Sequence, residues 1–455
     1  MRAAVASGSK AISLSKAITL LAATSLALLA LAIGVPPAAG QGGDTFIVRS
    51  TGDGGDVNLG DDVCDAHPLE SRVRCTLRAA IQEANADTDE DRIEFRIGGA
   101  NATGVKVIEV PDLDLPTITR PLVIDGYTQP GSSRNTAGRG TNAVLRIVLD
   151  GPGPFTAVGL EADDVPIDVR GLVIGDFGVG IRISGDDSII AGNFIGTDAA
   201  GSAPRPTGWG IEVYGADRSR IGGSRRADRN LIGGNGTSGV YIGFGDGLRI
   251  MGNLIGVTAS GAGDLGPDDY GIEFSADSAH DVLIGGDTKA KANVIAHAGS
   301  VGVSINDTGG GTGLSVRVLR NEIYANADLA IDLDIDGVTP NDGAPDADAG
   351  DNGLQNYPEI DSAISSGGVT TIRGTLLTAP ARSYRLEFFS NPGATRQARK
   401  YIGGTIVTTD GTGFARWRFV PARMVPEGRA VLATATDLTA KQTSELSAPR
   451  TVTSP

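Results

Sequence analysis

Short apolar runs recur through the middle of the chain, and an asparagine precedes each of them. The pattern Asn-x-Ile occurs five times, and a second short apolar run begins 9 residues after the asparagine in three copies and 17 or 18 residues after it in two. The copies begin at Asn193, Asn230, Asn253, Asn293 and Asn321. A fixed spacing interrupted by longer copies indicates a repeat that tolerates loop insertions.

Insertions also occur on the other side of the asparagine. Ile221 and Ile284 lie nine residues before Asn230 and Asn293, whereas in the other copies the equivalent apolar residue lies three residues before the asparagine. The interval from Asn230 to Asn253, which contains neither kind of insertion, is 23 residues. We therefore infer a coil of about 23 residues with two sites at which loops are inserted.

Three short β-runs per coil, with Gly or Asn at the bends, are typical of a parallel β-helix. A leucine-rich repeat has a similar period, but it requires a dense leucine pattern and a helical half, and neither is present. The predicted fold class is all-β: a right-handed parallel β-helix. The repeated asparagines are expected to be architectural, stacking at one corner through their side-chain amides.

The N-terminal end of the solenoid is predicted to be capped. After Thr76, a short amphipathic helix is expected to cover the N-terminal end of the core, with apolar positions Leu77, Ala80, Ile81 and Ala84 and polar positions Arg78, Gln82 and Glu83. Beyond the repeats, alternating strands separated by Asn-Pro-Gly, Asp-Gly and Pro-Glu-Gly turns predict a small, immunoglobulin-like β-sandwich.

These patterns divide the chain into five predicted segments. They are a signal peptide (1–40), an N-terminal cap with the first coils (41–150), the β-helix repeats (151–335), an Asp/Gly-rich linker (336–362) and the C-terminal β-sandwich (363–455).

The first segment determines the expected compartment. Arg2, Lys10 and Lys16 precede an apolar run over 17–33, and small residues up to Gly40 suit cleavage after that position. An uncleaved membrane anchor is the alternative, although the run is shorter than the usual span of about 20 residues. We expect a secreted or cell-surface protein with no membrane span after removal of the signal.

The composition of the chain limits the classes of partner that we expect. The formal net charge of −15 argues against nucleic acid, because binding a phosphate backbone needs clustered Lys and Arg. Gly and Pro, at 66 and 22 residues of 455, favour turns over long helices. Polysaccharide or cell-surface components are the expected partners.

Cys64 and Cys75 are the only cysteines. Export favours a disulfide between them, with two free thiols as the alternative. A zinc site is disfavoured, because the one nearby histidine, His67, leaves tetrahedral zinc a ligand short.

The second cysteine opens a segment, Cys75-Thr-Leu-Arg-Ala-Ala-Ile-Gln-Glu-Ala-Asn85, that resembles the Cys-Ser-Leu-Arg-Glu-Ala motif of exported β-helix proteins known as CSLREA-domain proteins. Ala79 stands where that motif has Glu. The segment Ile124-Asp-Gly-Tyr-Thr-Gln-Pro-Gly131 and the Asn-x-Ile-Gly coils are similar to this group as well, so the resemblance covers most of residues 44–450. It implies an exported β-helix and says less about an activity.

Carboxylates were the first candidates for chemistry, since β-helices also host polysaccharide lyases and hydrolases. The tandem pairs Asp163–Asp164, Asp186–Asp187 and Asp268–Asp269 follow Ala, Gly or Pro, which favours solvated turns. No Gly-His-Gly or Arg-Ile-Lys string of a pectin-hydrolase type occurs, and the chain has three histidines. No catalytic residue is assigned.

Calcium is the better-supported cofactor hypothesis, because hard cations prefer carboxylate and carbonyl oxygens. The predicted ligands, in a loop rich in Gly and Pro, are Asp342, Asp346, Asp348 and Asp351. A solvated linker is the alternative, and no cofactor is certain.

The expected function is an exported, non-enzymatic surface or extracellular β-helix protein that displays loops for adhesion or glycan binding. Trp209, Tyr241 and Tyr270, each beside a second-strand position, are candidates for stacking on sugars, although each could equally flank the core. The alternative is a polysaccharide-active lyase or hydrolase whose acids meet only in the folded chain. Carboxylates converging with an Arg or an aromatic platform would favour the enzyme.

Overall fold

The computed structural model describes residues 43–66, 74–98, 104–111, 114–276, 278–307, 314–346 and 349–455. The predicted signal peptide, its cleavage site, His67 and Asp348 lie outside the described residues.

Three long parallel sheets confirm the predicted parallel β-helix, because each strand pairs with its counterpart one coil away. The first sheet contains Thr45–Val48, Asp91–Phe95, Leu122–Asp125, Ile167–Arg170, Ile189–Ala191, Arg220–Gly222, Arg249–Met251, Ala279–Gly285 and Leu314–Leu319. The second contains Lys106–Glu109, Ile147–Asp150, Leu172–Gly175, Phe194–Ile195, Leu231–Ile232, Leu254–Ile255, Val294–Ala296 and Glu322–Tyr324. The third contains Val158–Ala162, Val179–Ile183, Trp209–Tyr214, Ser238–Phe244, Tyr270–Ala276, Val303–Asp307 and Ile331–Leu333.

The isoleucine of each Asn-x-Ile motif points into the core. The five motif isoleucines stand in register with one another and with Ile174 of the preceding coil, in successive strands of the second sheet. All six are almost completely buried: Ile174, Ile195, Ile232, Ile255, Ile295 and Ile323. Full burial of such a side chain contributes about 1.5–3 kcal/mol relative to exposure. The repeat is therefore a vertical stack of identical side chains.

The motif asparagines form a buried ladder at the corner between the first and second sheets. In each of four steps the amide oxygen of one asparagine accepts from the side chain of the asparagine before it, as in Asn230 Nδ2 to Asn253 Oδ1 at 3.0 Å and Asn253 Nδ2 to Asn293 Oδ1 at 3.1 Å. The same side chains donate to backbone carbonyls of the first sheet, as in Asn253 Nδ2 to Ile221 O at 2.9 Å. The expected stacking of the asparagines is confirmed.

The N-terminal helix runs from Leu77 to Ala84, and Thr76 Oγ1 caps it by accepting from Ala79 N at 3.0 Å. Its apolar face joins the β-helix core, as predicted. The expectation for Glu83 was wrong: this side chain is 2 % exposed and accepts from Gly60 N at 3.1 Å, because the preceding loop folds over the helix. Burial raises the pKa of the Glu83 carboxyl, against the hydrogen bond from Gly60.

The predicted disulfide between Cys64 and Cys75 is present. It ties the loop before the helix to the residue that precedes the N-cap. Arg78 holds the same loop by a two-pronged ion pair with Asp53, with Nε–Oδ1 at 3.0 Å and Nη2–Oδ2 at 2.8 Å. The segment from Cys75 therefore anchors the N-terminal cap at several points.

A long connection, residues 131–145, covers part of the outer face of the second sheet, and we call it the arm. It runs across coils that are distant in sequence: Asn135 Nδ2 donates to Arg226 O at 2.8 Å and Thr141 N to Ala259 O at 2.7 Å. Outward apolar residues of the sheet, including Phe194 and Leu231, are buried beneath it and beneath the inserted loops. The second sheet is thus covered on both faces.

Short 3₁₀ helices occur at Gly126–Thr128, Arg226–Asp228 and Asp351–Leu354. Among the described residues, no helix has both the length and the apolar character required to cross a membrane.

The C-terminal region forms two antiparallel sheets packed face to face, as predicted. One contains Glu359–Ser366, Val369–Leu377 and Phe414–Phe419; the other contains Ser383–Asn391, Tyr401–Thr408, Ala430–Asp437, Gln442–Thr443 and Arg450–Thr451. Phe388, on the strand Ser383–Asn391, stacks on Phe419 of the facing sandwich sheet, with ring centroids 4.3 Å apart. Aromatic and aliphatic side chains fill the space between the sheets.

This sandwich closes the C-terminal end of the β-helix. It bonds to the last strand of every long sheet: Thr443 Oγ1 accepts from Val318 N at 3.0 Å, Ala398 exchanges backbone bonds with Ile323, and Glu445 Oε1 accepts from Leu333 N at 3.3 Å. Side chains of the sandwich also enter the β-helix core cluster. The sandwich is therefore a cap that covers otherwise unpaired strand edges.

The asparagine ladder generates a first prediction. Replacing Asn253 with Ala removes an amide that bonds both neighbouring asparagines and a buried carbonyl. We expect the free energy of unfolding to fall by roughly 3 kcal/mol, since each buried group left unpaired costs about 1–3 kcal/mol. Denaturant unfolding followed by circular dichroism measures it. The control is Asn58→Ala, at an exposed asparagine; equal effects of the two substitutions would contradict a structural ladder.

The junction between coil and sandwich generates a second prediction. Burial raises the pKa of Asp332 and of Glu445 to about 7, and their mutual repulsion adds to the rise for Glu445. The folded state then holds protons more tightly than the unfolded state, so this contribution to stability is full below about pH 4 and lost as pH rises towards 7. We expect the melting temperature of Glu445→Gln to rise relative to that of the wild type above pH 7.

The matched control for that experiment is Glu427→Gln, at an exposed glutamate of the same domain. Melting temperatures of the three proteins are compared between about pH 4 and pH 8. A constant difference between Glu445→Gln and the wild type across this range would show that Glu445 does not titrate in it.

Candidate functional site

The outer face of the third sheet presents a straight row of polar side chains. The middle outward-facing residue of each strand pairs in register with its equivalent in the next coil, while the residues on either side point into the core. In order along the sheet the row consists of Glu161, Arg182, Glu212, Tyr241, Glu273, Ser304 and Asp332.

Aromatic rings cluster around the centre of this row. Trp209 and Tyr241 have ring centroids 5.9 Å apart, Tyr241 and Tyr214 are also 5.9 Å apart, and Tyr214 meets Phe244 edge-on at 5.5 Å. Tyr214 is 38 % exposed and Phe244 46 % exposed. We call these four side chains the aromatic platform.

A fifth exposed ring lies at the corner that leads into the third sheet. Phe155 is 67 % exposed and lies across the corner glycines Gly208 and Gly236. A Cβ at Gly236 would approach the Cζ of this ring to 2.7 Å, so a side chain there would displace the ring from its present position. The glycine corner lets the ring lie flat against the coil.

An arginine links two of the row's carboxylates. Arg182 Nε donates to Glu212 Oε2 at 2.5 Å, and Arg182 Nη1 donates to Glu161 Oε1 at 3.0 Å. The two acids lie on strands on opposite sides of the strand that carries Arg182. The guanidinium therefore bridges the two carboxyl groups and restrains the side chain of Glu212 beside the platform.

Glu273 flanks Tyr241 on the other side. Ser238 Oγ donates to its Oε2. Burial raises the pKa of the Glu273 carboxyl, and nearby Asp269 adds to the rise, against the hydrogen bond from Ser238. Burial, with a contribution from Tyr214, also raises the pKa of Tyr241 to about 12, so its phenol is neutral at physiological pH.

The arrangement suits recognition of a polyhydroxylated ligand. Aromatic faces provide flat apolar surfaces, and the half-buried carboxyl group of Glu273 provides an acceptor for a hydroxyl group beside Tyr241. Glu212, on the other side of Tyr241, is 5 % exposed and its carboxyl group is paired with Arg182. Because adjacent strands lie about 4.8 Å apart, these two acids are separated at the backbone by about 9.6 Å. The site is a shallow, acidic face with an apolar centre.

Two of the three aromatic candidates from the sequence, Trp209 and Tyr241, belong to the platform. Tyr270 starts the next strand along the sheet, in register with Ser238. Sequence reasoning missed Glu212 and Glu273, although each is the third residue of a repeated second-strand quartet, Gly-Ile-Glu-Val and Gly-Ile-Glu-Phe. Aligning those quartets by position, rather than searching for tandem acids, would have found them.

The predicted calcium ligands occupy different environments. Asn356 Nδ2 donates to Asp342 Oδ1 at 3.1 Å, and Gln355 Nε2 donates to Asp346 Oδ2 at 3.1 Å. Asp351 lies elsewhere and accepts from the backbone amides of Asp307 and Asp334. The ligand atoms of these three described aspartates do not gather within 4.8 Å of one another. Calcium binding by this loop stays a prediction.

Among the described residues, one group of three acids has oxygens that all lie within 4.8 Å: Asp44, Asp62 and Asp87, which are largely exposed. The tandem aspartates have turn geometry instead. Asp164 and Asp187 adopt positive φ, and Asp186 and Asp187 both pair with exposed Arg218. This agrees with solvated turns.

Comparison with known proteins gives weak likenesses. The chain is similar to the crystal structure of the Dettilon tailspike protein, at 11% sequence identity over 81% of this chain and 92% of that chain, with a TM-score of 0.23. For tailspike protein 2 of the Escherichia coli O157:H7 bacteriophage CAB120 the identity is 9%, over 87% of this chain and 68% of that chain, with a TM-score of 0.19. No protein-family model and no curated protein matches the chain.

Proposed function

We propose that this is an exported, surface or extracellular β-helix protein that binds glycans on the outer face of its third sheet. The observation that carries the proposal is the aromatic platform, in which Tyr214 and Phe244 are exposed and the other two rings are half-buried. Glu212 and Glu273 lie on the strands on either side of Tyr241. Exposed aromatic patches of this kind mark binding sites, because apolar rings are otherwise buried.

Export is supported by features at the N-terminal end. The disulfide between Cys64 and Cys75 suits an oxidising compartment, and the basic and apolar pattern of residues 1–40 is typical of a signal peptide. The resemblance to CSLREA-domain proteins agrees with both. Polysaccharides or other cell-surface components are the partners we propose, and the net charge of −15 disfavours nucleic acid.

The charge of the third-sheet face limits the class of glycan that it can bind. Glu161, Glu212 and Glu273 outnumber Arg182 in the row, so the surface around the platform is acidic. Acidic sugars would be repelled, whereas neutral and amino sugars would offer hydroxyl or ammonium donors to these carboxylates. We therefore propose a neutral or amino-sugar glycan. The binding surface is a sheet face rather than the displayed loops of the initial hypothesis.

The test replaces the central ring. Binding of the purified protein to an array of neutral, amino-sugar and acidic oligosaccharides identifies a ligand, and titration then compares Tyr241→Ala with the wild type. We expect roughly tenfold weaker binding, equivalent to about 1.4 kcal/mol. Ile406→Ala, at a 66 % exposed aliphatic residue of the sandwich, is the matched control. Unchanged affinity in Tyr241→Ala would remove the platform from the binding site.

A specific geometry also favours a second candidate, glycoside hydrolysis. Glu212, paired with Arg182, and Glu273 lie on opposite sides of Tyr241, two strands apart. A backbone separation of about 9.6 Å leaves the carboxyl groups near the spacing of about 6.5–9.5 Å that inverting glycosidases use to admit a water molecule. In that reaction Glu273 would protonate the leaving oxygen and Glu212 would activate water.

Glu273→Gln separates the two functions. If the protein is a hydrolase, incubation with a bound polysaccharide releases reducing ends, and Glu273→Gln lowers the rate by roughly 10²–10⁴-fold while retaining binding. If the protein only binds, no reducing ends appear with either chain, and the second candidate is rejected. Glu427→Gln, at an exposed position of the sandwich, serves as the control.

A further inference from the structure

A second concave site lies on a different part of the β-helix, at the corner between the first and second sheets. It is a cavity of about 590 Å³. Its charged lining residues are Arg139, Arg226, Arg229, Lys289 and Glu322. Four cations against one acid form a basic cavity in a chain whose net charge is −15.

The loop insertions before the asparagine create this cavity. Residues 223–229 are inserted before Asn230 and residues 286–292 before Asn293, whereas the coil between them turns directly from Met251 to Asn253. Because coils are stacked about 4.8 Å apart, two projecting loops around a short coil leave a gap of about two spacings. The arm forms the remaining wall, with Arg139 and Gly140.

The cations of the cavity lack carboxylate partners in the described part of the chain. No carboxylate oxygen of a described residue lies within 4.0 Å of the charged nitrogens of Arg139, Arg226, Arg229 or Lys289. Most other arginines that face the first and third sheets, such as Arg182 and Arg170, pair with acids. The cavity therefore gathers positive charge that the protein does not itself neutralise.

Backbone carbonyl groups position the guanidinium of Arg229 in the cavity. Its Nη1 donates to Gly140 O of the arm at 2.6 Å, and its Nε donates to Gly252 O of the short coil at 3.1 Å. Backbone carbonyls orient the guanidinium without cancelling its charge. Burial lowers the pKa of Arg229, and neighbouring Arg226 lowers it further, but a guanidinium stays charged at physiological pH. A half-buried cation of this kind is stabilised by an anion in the cavity.

The size of the cavity and its apolar surfaces indicate more than a bare ion. The volume falls within the range of about 300–1,000 Å³ that is typical of small-molecule sites. Leu254 and Val294, the middle residues of two Asn-x-Ile motifs, line it beside Gly140 and Gly261. These surfaces suit the face of a sugar ring, and Glu322 can accept from a hydroxyl group.

We propose that this basic cavity binds a single sugar unit carrying an oxyanion: the carboxylate of a uronic acid or a sulfate or phosphate ester. Arg226 and Arg229 provide planar donors for the anion, Lys289 and Arg139 complete the positive field at the rim, and the half-buried Val294 contacts the ring. The inference does not depend on the acidic third-sheet face, which has the opposite ligand preference.

Isothermal titration at low ionic strength tests the proposal on the full mature chain. The probes are glucuronate, galacturonate, galactose 6-sulfate, glucose 6-phosphate, inorganic sulfate, inorganic phosphate and neutral galactose. We expect at least one acidic sugar to bind at least fivefold more tightly than inorganic sulfate or phosphate, with affinity falling as salt is added. Neutral galactose is expected not to bind.

Arg226→Gln is the informative variant, because Arg226 is exposed at the cavity. Its Nη1 also donates to Thr136 O of the arm at 3.0 Å, so the melting curve of the variant is compared with that of the wild type. We expect roughly tenfold weaker binding of the acidic sugar, since a hydrogen bond to a charged group contributes about 1.5–3 kcal/mol. Arg225→Gln is the control: it removes the same charge from the same loop at a residue that does not line the cavity. Lys289→Gln provides a second variant from the other insertion.

Three results would overturn the proposal. Equal losses in Arg225→Gln and Arg226→Gln would show a general charge effect. Equal binding of inorganic anions and acidic sugars would show a site for small anions only. Absence of binding by every acidic sugar, in a protein whose melting curve is unchanged, would show that the cavity takes no such ligand.

Discussion

The asparagine ladder is the interaction on which the rest of the β-helix depends. A parallel solenoid must turn the chain at the same place in every coil, or the strands lose their register and the core loses its stacked side chains. Each ladder asparagine before the last, Asn321, bonds the asparagine of the next coil and a backbone carbonyl of the first sheet, as Asn253 does with Asn293 and Ile221. The corner is therefore held by side chains that lie inside the protein and out of reach of solvent.

Fixing the corner makes variation on both sides of it tolerable. The extra residues before Asn230 and Asn293 leave the register of the isoleucine stack unchanged, because the ladder re-forms immediately after each insertion. Loop length costs little entropy beyond the first few residues, so insertions of this size are cheap once both ends are held. Both proposed sites follow from this: one from the regular outward row of the third sheet, the other from an irregular corner.

The elements set by local sequence could be predicted, and those set by long-range packing could not. The repeat period, the inward isoleucines, the helix cap at Thr76 and the sandwich strands each arise from a pattern within a few residues. The path of the arm could not be predicted in this way. Contacts such as that of Asn135 with Arg226 join positions about 90 residues apart, and no local signal encodes them. The burial of Glu83 was missed for the same reason.

The binding surfaces show the same division more sharply. The repeated quartets already contained Glu212, Tyr241 and Glu273, but their meaning depends on register, which places the ring between the two acids. The tandem acids are adjacent in sequence, whereas in a β-helix the side chains that form one site lie one coil apart. Side chains on successive coils lie about 4.8 Å from each other at the backbone, closer than residues two apart on one strand, at about 6.6 Å. In this fold, therefore, the side chains of one site come from successive coils. Aligning the repeats of such a sequence by position identifies these side chains better than motifs along the chain do.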